Sequence, residues 1–289
     1  MTLDVVICTY NRQKKVIDLV NQLLTCTPLP DNIIIVDSSD ESNLSFDNNT
    51  KIKYIKSPRK SQPYQRYIGA QCSNAEIICY FDDDIVILEK SLFSEIKKGF
   101  ENKSVSGVSL GIQYETGINI NQIKSKKNQS KTGEISWLGK TSGLPEKIDF
   151  VQYFPGPIMA FKNSIILNLF NEHLFTIFEK KIAMGEDKYI SMQAGIYGKL
   201  LFLGDKTYIY HPPEPSTYFN NEIDFIAKTT FSRLWLSKQF AKTHGKPIWK
   251  AYLIFSLYLF KQLLTGLIYR SRLKGNIKAI KWLYSNQEK

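Results

Sequence analysis

Short apolar runs alternate with amphipathic segments through the first 112 residues, and this alternation constrains the fold more than any other feature. The runs have the length and the β-branched composition of buried strands. They cover residues 3–8, 33–36, 52–55, 76–81 and 105–112. Helices are expected between them, over about residues 12–25, 62–73 and 90–101. Because strands that alternate with helices are typical of parallel sheets, the sequence predicts a doubly wound, mostly parallel α/β sheet flanked by helices.

The second half of the chain continues this pattern less regularly. Residues 156–162 are predicted to form a strand, residues 185–196 a helix and residues 200–210 a pair of strands. From about residue 221 the pattern is helical to the end of the sequence. Between these parts, residues 113–147 lack periodicity, and Asn119–Thr132 is rich in Asn, Lys, Gln and Ser. That stretch is expected to be a mobile loop, which leaves open a lid, a binding loop or a disordered insertion.

Three adjacent carboxylates, Asp82, Asp83 and Asp84, follow the predicted strand at residues 76–81. Adjacent acids repel one another, so folding alone does not select them. A divalent Mg²⁺ or Mn²⁺ ion relieves the repulsion, because both ions prefer oxygen ligands. Ligands of open α/β sheets bind at the carboxyl ends of the strands. The three acids therefore predict a metal-bridged phosphate site, with an exposed acidic turn as the alternative.

Polar residues also follow the other predicted elements. Residues 9–12 follow the first strand, and residues 37–40 follow the second. Glu186 and Asp187 begin a helix, and His211 comes after the last predicted strand. Several such segments at strand ends fit a crevice that binds a nucleotide diphosphate. As the alternative, the two acids only stabilise a helix N-terminus, by about 0.3–1 kcal/mol each, and His211 is a surface turn residue.

Together these motifs resemble those of glycosyltransferase family 2, whose members have the GT-A fold. Residues 5–12 are similar to the family's first strand and turn, and residues 34–39 to its second strand. The segment Gln65-Arg66-Tyr67-Ile68-Gly69 is similar to the family's Ala-Arg-Asn-x-Gly segment. The three acids match its Asp-x-Asp motif, and Gly185-Glu186-Asp187 matches its Glu-Asp motif. Residues 156–162 resemble its acceptor-side segment, with Lys162 where arginine is commoner.

The resemblance covers about residues 2–215 and implies a division of the chain. A GT-A catalytic domain is expected over residues 1–215, with a nucleotide-sugar half at about 1–112 and an acceptor half at about 149–215. Residues 216–289 are expected to form a helical, basic extension that associates with membranes.

The resemblance also implies a reaction, in which a sugar moves with inversion from a nucleotide-sugar donor to a saccharide or lipid-linked acceptor. Asp84 and His211 would hold a divalent metal, Mn²⁺ or Mg²⁺, that assists departure of the nucleoside diphosphate. Asp187 would be the general base, with Glu186 orienting the acceptor. Nine further residues would bind the nucleotide sugar. They are Thr9, Tyr10, Asn11, Arg12, Asp37, Ser39, Arg66, Asp82 and Asp83.

Some of these assignments leave a plainer alternative open. Asp83 alone reads equally well as a solvated acid, and Arg66 as a surface residue of its helix. Lys60 is a weaker candidate for the diphosphate. Trp137 would stack on a sugar, although tryptophan more often packs in a core or on a surface.

Other classes of protein fit the sequence less well. A nucleotidyltransferase that makes nucleotide sugars is the nearest rival, but its phosphate loop is usually rich in glycine and residues 9–12 contain none. A glycosidase also uses two carboxylates, yet it needs no nucleotide site. A non-catalytic basic binding protein or an inactive relative would not require the intact acidic motifs. No nucleic-acid partner is expected, because the basic segments carry no recognisable reading motif.

The C-terminal segment is both apolar and basic. Residues 245–289 contain seven lysines, two arginines and one glutamate, so they carry +8 of the chain's net charge of +11. Lys250, Lys261 and Arg272 recur every 11 residues, as one polar stripe on a single helix would. Because Lys261-Gln262 interrupts the apolar run, a transmembrane span is not expected. A helix lying in the plane of an anionic membrane fits best, with burial against the catalytic domain or in a homodimer as the alternative.

Cysteine usage and the first residues indicate the compartment. Cys8, Cys26, Cys72 and Cys79 form no C-x-x-C pair and are typical of a reducing environment. The sequence begins with a predicted strand and not with a signal peptide. A cytoplasmic protein, peripheral on the inner face of the cell membrane, is therefore expected. The resemblance implies a role in bacterial surface polysaccharide, lipopolysaccharide or capsule synthesis.

Overall fold

The predicted α/β sheet is confirmed in a computed structural model that describes residues 1–41, 44, 46, 49–114, 132–213 and 218–286. Within the described residues, nine strands form one sheet. They are β1 (Leu3–Thr9), β2 (Asn32–Asp37), β3 (Ile52–Lys56), β4 (Ile77–Asp82), β5 (Val86–Ile87), β6 (Val105–Gln113), β7 (Ile148–Val151), β8 (Ile158–Lys162) and β9 (Lys199–Tyr210).

The sheet is mixed: within the described residues, four of its eight strand pairings are parallel and four are antiparallel. Its strand order is β3-β2-β1-β4-β8-β6-β9-β5, and β7 pairs with the first half of β9. Strands β3, β2, β1 and β4 are parallel to one another, and so are β6 and β9. β8 lies antiparallel between β4 and β6, so all six parallel strands point the same way. Their carboxyl ends therefore meet at one edge of the sheet.

Helices cover both faces of the sheet and form the C-terminal extension. Those packed near the sheet are α1 (Gln13–Leu23), α2 (Gln62–Gln71), α3 (Leu92–Gly99), α4 (Asn163–Ile166), α5 (Glu172–Glu179) and α6 (Glu186–Ala194). Those of the extension are α7 (Glu222–Thr243), α8 (Ile248–Gly266) and α9 (Arg270–Ser285).

The side chains of the central strands alternate between two apolar layers. Val5 and Ile7 of β1 pack in a layer with Leu19 of α1, whereas Val6 and Cys8 belong to the layer on the opposite face. Because successive strand residues point to opposite faces, a strand buried on both sides must be apolar throughout. This explains why the strand sequences are continuous apolar runs.

The extension is joined to the sheet domain mainly through α7. Trp235 of α7 stacks on Tyr189 of α6, with ring centroids 5.3 Å apart, and meets Phe178 of α5 edge-on at 6.0 Å. α9 lies so close to α7 that a Cβ on Gly275 would come within 2.7 Å of Ile226. Glycine at that position therefore sets the close approach of the two helices.

Two predictions about elements were wrong, and one group of short elements was missed. Residues 200–210 form the single strand β9, in which Gly204–Lys206 bulge out of the register with β6. The short elements β5, β7, α4 and α5 were not predicted. The tail is not one helix, because α8 ends at Gly266, so Lys250 and Lys261 share a helix while Arg272 lies on α9.

Two further expectations concern the loop and the membrane. Most of the predicted mobile loop, residues 115–131, lies outside the described residues. Among the helices that the structure does describe, none is long and apolar enough to cross a bilayer.

Candidate active site

The turn between β1 and α1 holds the second acid of the triplet. Asp83 is buried, at 6% exposure, and its Oδ2 accepts a 2.7 Å hydrogen bond from the Thr9 hydroxyl. Arg12 Nη1 lies 3.0 Å from Asp83 Oδ1 and 2.8 Å from Asp84 Oδ2. In the same turn, Asn11 has a left-handed backbone conformation with φ of 56°, which asparagine tolerates better than most residues. Asp83 is thus a paired, inward-facing acid, and its reading as a solvated acid is wrong.

The other two acids converge with a histidine from a different strand end. Asp82, Asp84 and His211, called here the ligand cluster, offer one ligand atom each, and these atoms lie within 4.8 Å of one another. His211 follows β9 and its Nε2 is 3.1 Å from Asp84 Oδ1. That oxygen is buried and, among the described residues, has no well-aligned hydrogen bond. Two carboxylates and an imidazole suit a divalent cation such as Mn²⁺.

The pKa values of the two carboxylates in the ligand cluster are shifted in opposite directions. Burial raises the pKa of Asp82 to about 6, although the charge of Arg66 acts against it. Burial also acts to raise the pKa of Asp84, but His211 and Arg12 outweigh it, so that pKa lies below its ordinary value. Loss of solvation favours the neutral carboxyl, whereas neighbouring cations favour the charged form. Asp84 therefore carries its negative charge readily. A bound cation would favour the charged form of Asp82 as well, by lowering its raised pKa.

Arg66 ties the ligand cluster to the start of α6. Its side chain is 1% exposed, and its two terminal nitrogens lie 3.2 Å from Asp82 Oδ1 and 3.4 Å from Glu186 Oε1. Gln62 donates a further 3.1 Å hydrogen bond to the same Asp82 oxygen. A buried guanidinium needs carboxylate partners, and here it has two. The reading of Arg66 as a surface residue is therefore wrong.

The first turn of α6 places its two acids beside different cavities. Gly185 precedes the helix with φ of +89°, a conformation that favours glycine. Asp187 lines a cavity of about 820 Å³, the Asp187 cavity, together with Gly156 and Tyr114. Glu186 lines a second cavity of about 510 Å³, the Glu186 cavity, together with Tyr10 and Ser38 among others. Burial, reinforced by the charge of Asp187, raises the pKa of Glu186 above its ordinary value.

The turn after β2 lies next to the turn between β1 and α1 and is held by several hydrogen bonds. Asp37 is fully buried, and its Oδ1 accepts hydrogen bonds from the Ser39 backbone N–H at 2.7 Å and from the Ser39 hydroxyl at 2.5 Å. Its Oδ2 accepts from Tyr54 at 3.0 Å. The Ser39 hydroxyl oxygen in turn accepts a 2.6 Å bond from the Asn11 backbone N–H. Asp37 thereby fixes the two predicted nucleotide-binding turns relative to each other.

Lys60 and Trp137, two weaker candidates for the site, contact other residues of the chain. Lys60 pairs with Asp40 at 2.7 Å and lies 5.2 Å from the ring centre of Tyr10. Trp137 packs its ring against Phe240 of α7, with centroids 5.3 Å apart. Packing is thus the role that the structure gives Trp137.

Sequence reasoning assigned no role in the site to several residues that the structure places there. Gln65 donates hydrogen bonds to the carbonyl oxygens of Thr9 and Val36, at 2.8 and 2.7 Å, and so holds the ends of β1 and β2 together. Gln62, Gln65 and Arg66 lie three and four residues apart on α2. That spacing puts them on one helical face, a signal from which the two glutamines could have been found. Tyr218, which lines the Glu186 cavity, had no such signal.

The chain is similar to known proteins both in its family model and in its fold. A family model described as "Glycosyl transferase family 2" matches residues 4–170. A search of the curated proteins finds no match to the chain.

Solved structures share the fold at low sequence identity. The S. aureus TarS fragment 1–349 in complex with UDP-GlcNAc has a TM-score of 0.63 and 16% identity, over 99% of this chain and 80% of that one. The mannosyltransferase PcManGT from Pyrobaculum calidifontis, in complex with GDP-Man and Mn²⁺, has a TM-score of 0.57 and 11% identity, over 99% and 88%. Longer S. aureus TarS has a TM-score of 0.52 and 17% identity over 80% of this chain, which spans only 38% of that structure.

Proposed function

This chain belongs to glycosyl transferase family 2, whose model matches more than half of it, and we propose that it transfers a sugar with inversion from a nucleotide-sugar donor to a saccharide or lipid-linked acceptor. The observation that carries the proposal is the placement of Asp187 on a cavity wall beside the ligand cluster. A Cβ on Gly156 would lie 3.8 Å from Asp187 Cβ and 3.9 Å from Asp82 Oδ2. The predicted base and the ligand cluster therefore border the same small space.

The ligand cluster would hold a divalent metal through Asp84 and His211, with Asp82 beside them. The buried Asp84 Oδ1, which has no well-aligned hydrogen bond among the described residues, supports this assignment. When bound, such an ion supplies Lewis-acid stabilisation of the departing diphosphate. Arg12 would orient Asp84 through Oδ2, while His211 lies beside Oδ1, and Arg66 would fix Asp82.

Asp187 would remove the proton from the acceptor hydroxyl. A general base must lie within hydrogen-bond reach of that proton, so the acceptor is assigned to the Asp187 cavity. The donor is assigned to the Glu186 cavity, because that cavity is lined by Tyr10 and Ser38 from the turns after β1 and β2. Glu186, held by Arg66, would position the α6 turn, and the reacting ends of the two substrates would meet beside the ligand cluster.

The chemistry of the structural neighbours defines the donors to test. TarS was solved with UDP-GlcNAc, and PcManGT with GDP-Man and Mn²⁺. A nucleotide-sugar donor and a divalent metal are therefore proposed for this chain as well. The role of the residues from Thr9 to Arg12, Asp37 and Ser39 in donor binding stays a prediction.

We further propose that α8 and α9 hold the enzyme on the anionic inner face of a cell membrane, where it would extend a lipid-linked surface polysaccharide. Five apolar side chains of α8 are exposed by half or more at helical spacing. They are Trp249 (61%), Leu253 (50%), Leu257 (64%), Phe260 (63%) and Leu264 (50%). Lys250 and Lys261 border this stripe, and α9 exposes Arg270, Lys274 and Lys281. An apolar stripe flanked by cations is typical of helices in an anionic interface.

A thermal-shift screen tests the donor and the metal together. Wild-type protein, Asp84→Ala and the exposed-acid control Asp205→Ala are heated with UDP-, GDP-, dTDP- or CMP-sugars, each with Mn²⁺ and with a chelator. One nucleotide class should raise the melting temperature of the wild type and the control by several degrees with Mn²⁺, because a ligand that binds only the native state stabilises it. The shift should be lost with chelator and in Asp84→Ala. An equal shift with chelator would contradict the metal assignment, and no shift with any donor would contradict the donor site.

A further inference from the structure

The carboxylate of Asp187 is placed by the backbone that carries it. Among the described residues, that carboxylate makes no hydrogen bond and no ion pair, whereas the neighbouring Glu186 is held by Arg66 at 3.4 Å. The direction of Asp187 therefore depends on residues 183–185, called here the approach segment, which lead into α6. A general base must lie within hydrogen-bond reach of the proton that it removes. Contacts that fix the approach segment therefore bear on the proposed reaction.

The helix α7 holds the approach segment through a buried serine. Ser232 is 5% exposed, and its hydroxyl oxygen accepts a 2.7 Å hydrogen bond from the backbone N–H of Met184. The same hydroxyl donates to the carbonyl oxygen of Lys228 at 2.7 Å, which fixes its orientation. A backbone N–H that loses its partner away from water is costly. The bond from Met184 therefore favours one position of the approach segment relative to α7.

A second hydrogen bond reaches the approach segment from the chain just before α7. The Tyr218 hydroxyl donates to the carbonyl oxygen of Ala183 at 2.5 Å. Lys228 holds Tyr218 in turn, because its ammonium donates to the Tyr218 carbonyl oxygen and lies 4.2 Å from the centre of the ring. Lys228 is itself 3% exposed and paired with Asp224 at 2.9 Å. Two consecutive residues of the approach segment are thus bonded to the C-terminal region.

Apolar contacts from α7 continue this support into α6. A Cβ on Gly185 would lie 3.3 Å from Leu236 Cδ1, so the Leu236 side chain packs close to the last residue of the approach segment. Trp235 stacks on Tyr189, whose backbone N–H donates to the Gly185 carbonyl oxygen at 3.1 Å. The helix therefore contacts the chain on both sides of the two acids. The family model ends at residue 170, so these contacts lie outside the part of the chain that it matches.

We propose that Ser232 and Tyr218 are positioning residues for the sugar transfer, which set the direction of Asp187 by fixing the backbone of the approach segment. The C-terminal region would then be part of the active site as well as the membrane contact. This inference rests on the proposed function, because it takes Asp187 as the base. Ser232 is not among the described residues that line the Asp187 cavity or the Glu186 cavity. Its effect on the reaction is therefore exerted through the approach segment.

Steady-state kinetics of Ser232→Ala separate positioning from stability. The assay measures release of nucleoside diphosphate from UDP-GlcNAc and from GDP-Man, with Mn²⁺ and with water as the acceptor. The kcat should fall by about tenfold to a hundredfold, because a small displacement of a reacting group can cost up to about 10²-fold. The donor KM should change by less than about threefold, since the lost interaction acts on the chemical step.

Ser237→Ala is the matched control for this variant. Ser237 is also buried in α7, but its hydroxyl has no hydrogen-bond partner among the described residues. The control should therefore keep the wild-type kcat. An unchanged kcat in Ser232→Ala, or an equal loss in Ser237→Ala, would overturn the proposal.

Tyr218→Phe tests the second hydrogen bond and stays informative if Ser232→Ala does not fold. The variant removes the hydroxyl that reaches Ala183 and keeps the ring beside Lys228. The kcat should fall severalfold. Tyr252→Phe is the control, because Tyr252 is 47% exposed on α8, and its kcat should be unchanged. Equal kcat in the two variants would contradict the role of Tyr218.

Hydrogen exchange tests the positioning without any turnover. In ligand-free protein, the amides of Met184 and Tyr189 should exchange severalfold faster in Ser232→Ala than in the wild type, because the approach segment opens more often. Both amides should be unaffected in Ser237→Ala. Unaltered exchange in Ser232→Ala would overturn the positioning role. Failure of the wild type to release nucleoside diphosphate from either donor would instead count against the proposed function, and exchange would still decide whether α7 holds the approach segment.

Discussion

The sheet edge buries charged side chains, whereas the C-terminal helices expose large apolar ones. At the sheet edge the charged side chains are buried and paired: Arg66 lies between Asp82 and Glu186, and Asp83 lies between Thr9 and Arg12. On α8, by contrast, Leu257 and Phe260 are more than 60% exposed. Burial of unpaired charge is costly, and so is a large apolar patch in water. The buried charges at the sheet edge are compensated by pairing within the chain. The exposed apolar side chains of α8 have no comparable cover among the described residues.

Substitutions in the two regions are expected to have different kinds of effect. A change at the sheet edge removes a group that is already fixed in place, so it should act on chemistry or on the fold. A change on the exposed face of α8 removes a group that contacts little protein, so it should act on association alone. The boundary between the two regions is α7, whose Trp235 packs on Tyr189 of the sheet domain and whose Asp224 pairs with Lys278 of α9.

The largest effect is expected for Asp187→Asn. If Asp187 is the general base, transfer should fall by about 10²–10⁴-fold, because the amide cannot accept the hydroxyl proton. Donor binding should persist, since Asp187 lines the cavity assigned to the acceptor. The measurement is release of nucleoside diphosphate, with acceptor or with water in its place, alongside the donor-induced thermal shift. Glu186→Gln is the adjacent comparison, and a variant Asp187→Asn with full turnover would rule out the assigned role.

A smaller effect, on stability, is expected at the junction of α7 and α9. Asp224 is 4% exposed and binds Lys228 and Lys278, each at 2.9 Å. Burial alone would raise its pKa, but the hydrogen bonds of the two lysines outweigh this and lower the pKa from 3.8 to about 2. Asp224→Asn leaves Lys228 buried without its carboxylate, so the free energy of unfolding should fall by about 3 kcal/mol at pH 7.

The lowered pKa of Asp224 also predicts how this loss of stability depends on pH. A carboxyl whose folded pKa is lower than its unfolded pKa stabilises the fold above the unfolded value and loses that contribution as pH falls toward the folded value. The stability difference between wild type and Asp224→Asn should therefore be full above about pH 4 and shrink between pH 3.8 and about 2. Urea unfolding at a series of pH values measures it. The exposed Glu222→Gln, in the same first turn of α7, should lose less than about 1 kcal/mol; an equal loss would show a general helix-end effect instead.

The central fold could be predicted from the sequence because its signals are local. The runs that became β1, β2 and β4 are buried on both faces, so their composition alone marked them. The three acids at the end of β4 and the pair that begins α6 matched motifs whose spacing is local too. The two-residue strand β5 and the bulge in β9 depend on pairing with distant residues, and no short pattern encodes them. The break after Gly266 did have a signal, since glycine is common near helix ends.

The internal contacts of the site could not be predicted for the same reason. The partner of Arg66, Glu186, lies 120 residues away in sequence, and only the fold brings the two together. The pairing of His211 with Asp84 was implied by the family resemblance and not by any local pattern. In the fold, His211 lies near Asp84 because it follows β9, which pairs with β6 and β5. Composition did predict the basic and apolar character of the tail, but not which side chains stay exposed.

The smallest change tests the exposed region directly. Phe260→Ser should leave the free energy of unfolding within about 0.5 kcal/mol, because a surface side chain away from caps and buried networks contributes little to stability. Binding to vesicles of phosphatidylglycerol should weaken by roughly tenfold, since an aromatic side chain of this size gains about 1.5–3 kcal/mol when fully buried. Cosedimentation measures the binding. Ile196→Ser is the control, because Ile196 is 58% exposed but lies after α6. If the two variants lost affinity equally, the exposed stripe of α8 would have no special role; if Phe260→Ser unfolded the protein, the stripe would be part of the fold and the contrast between the two regions would be wrong.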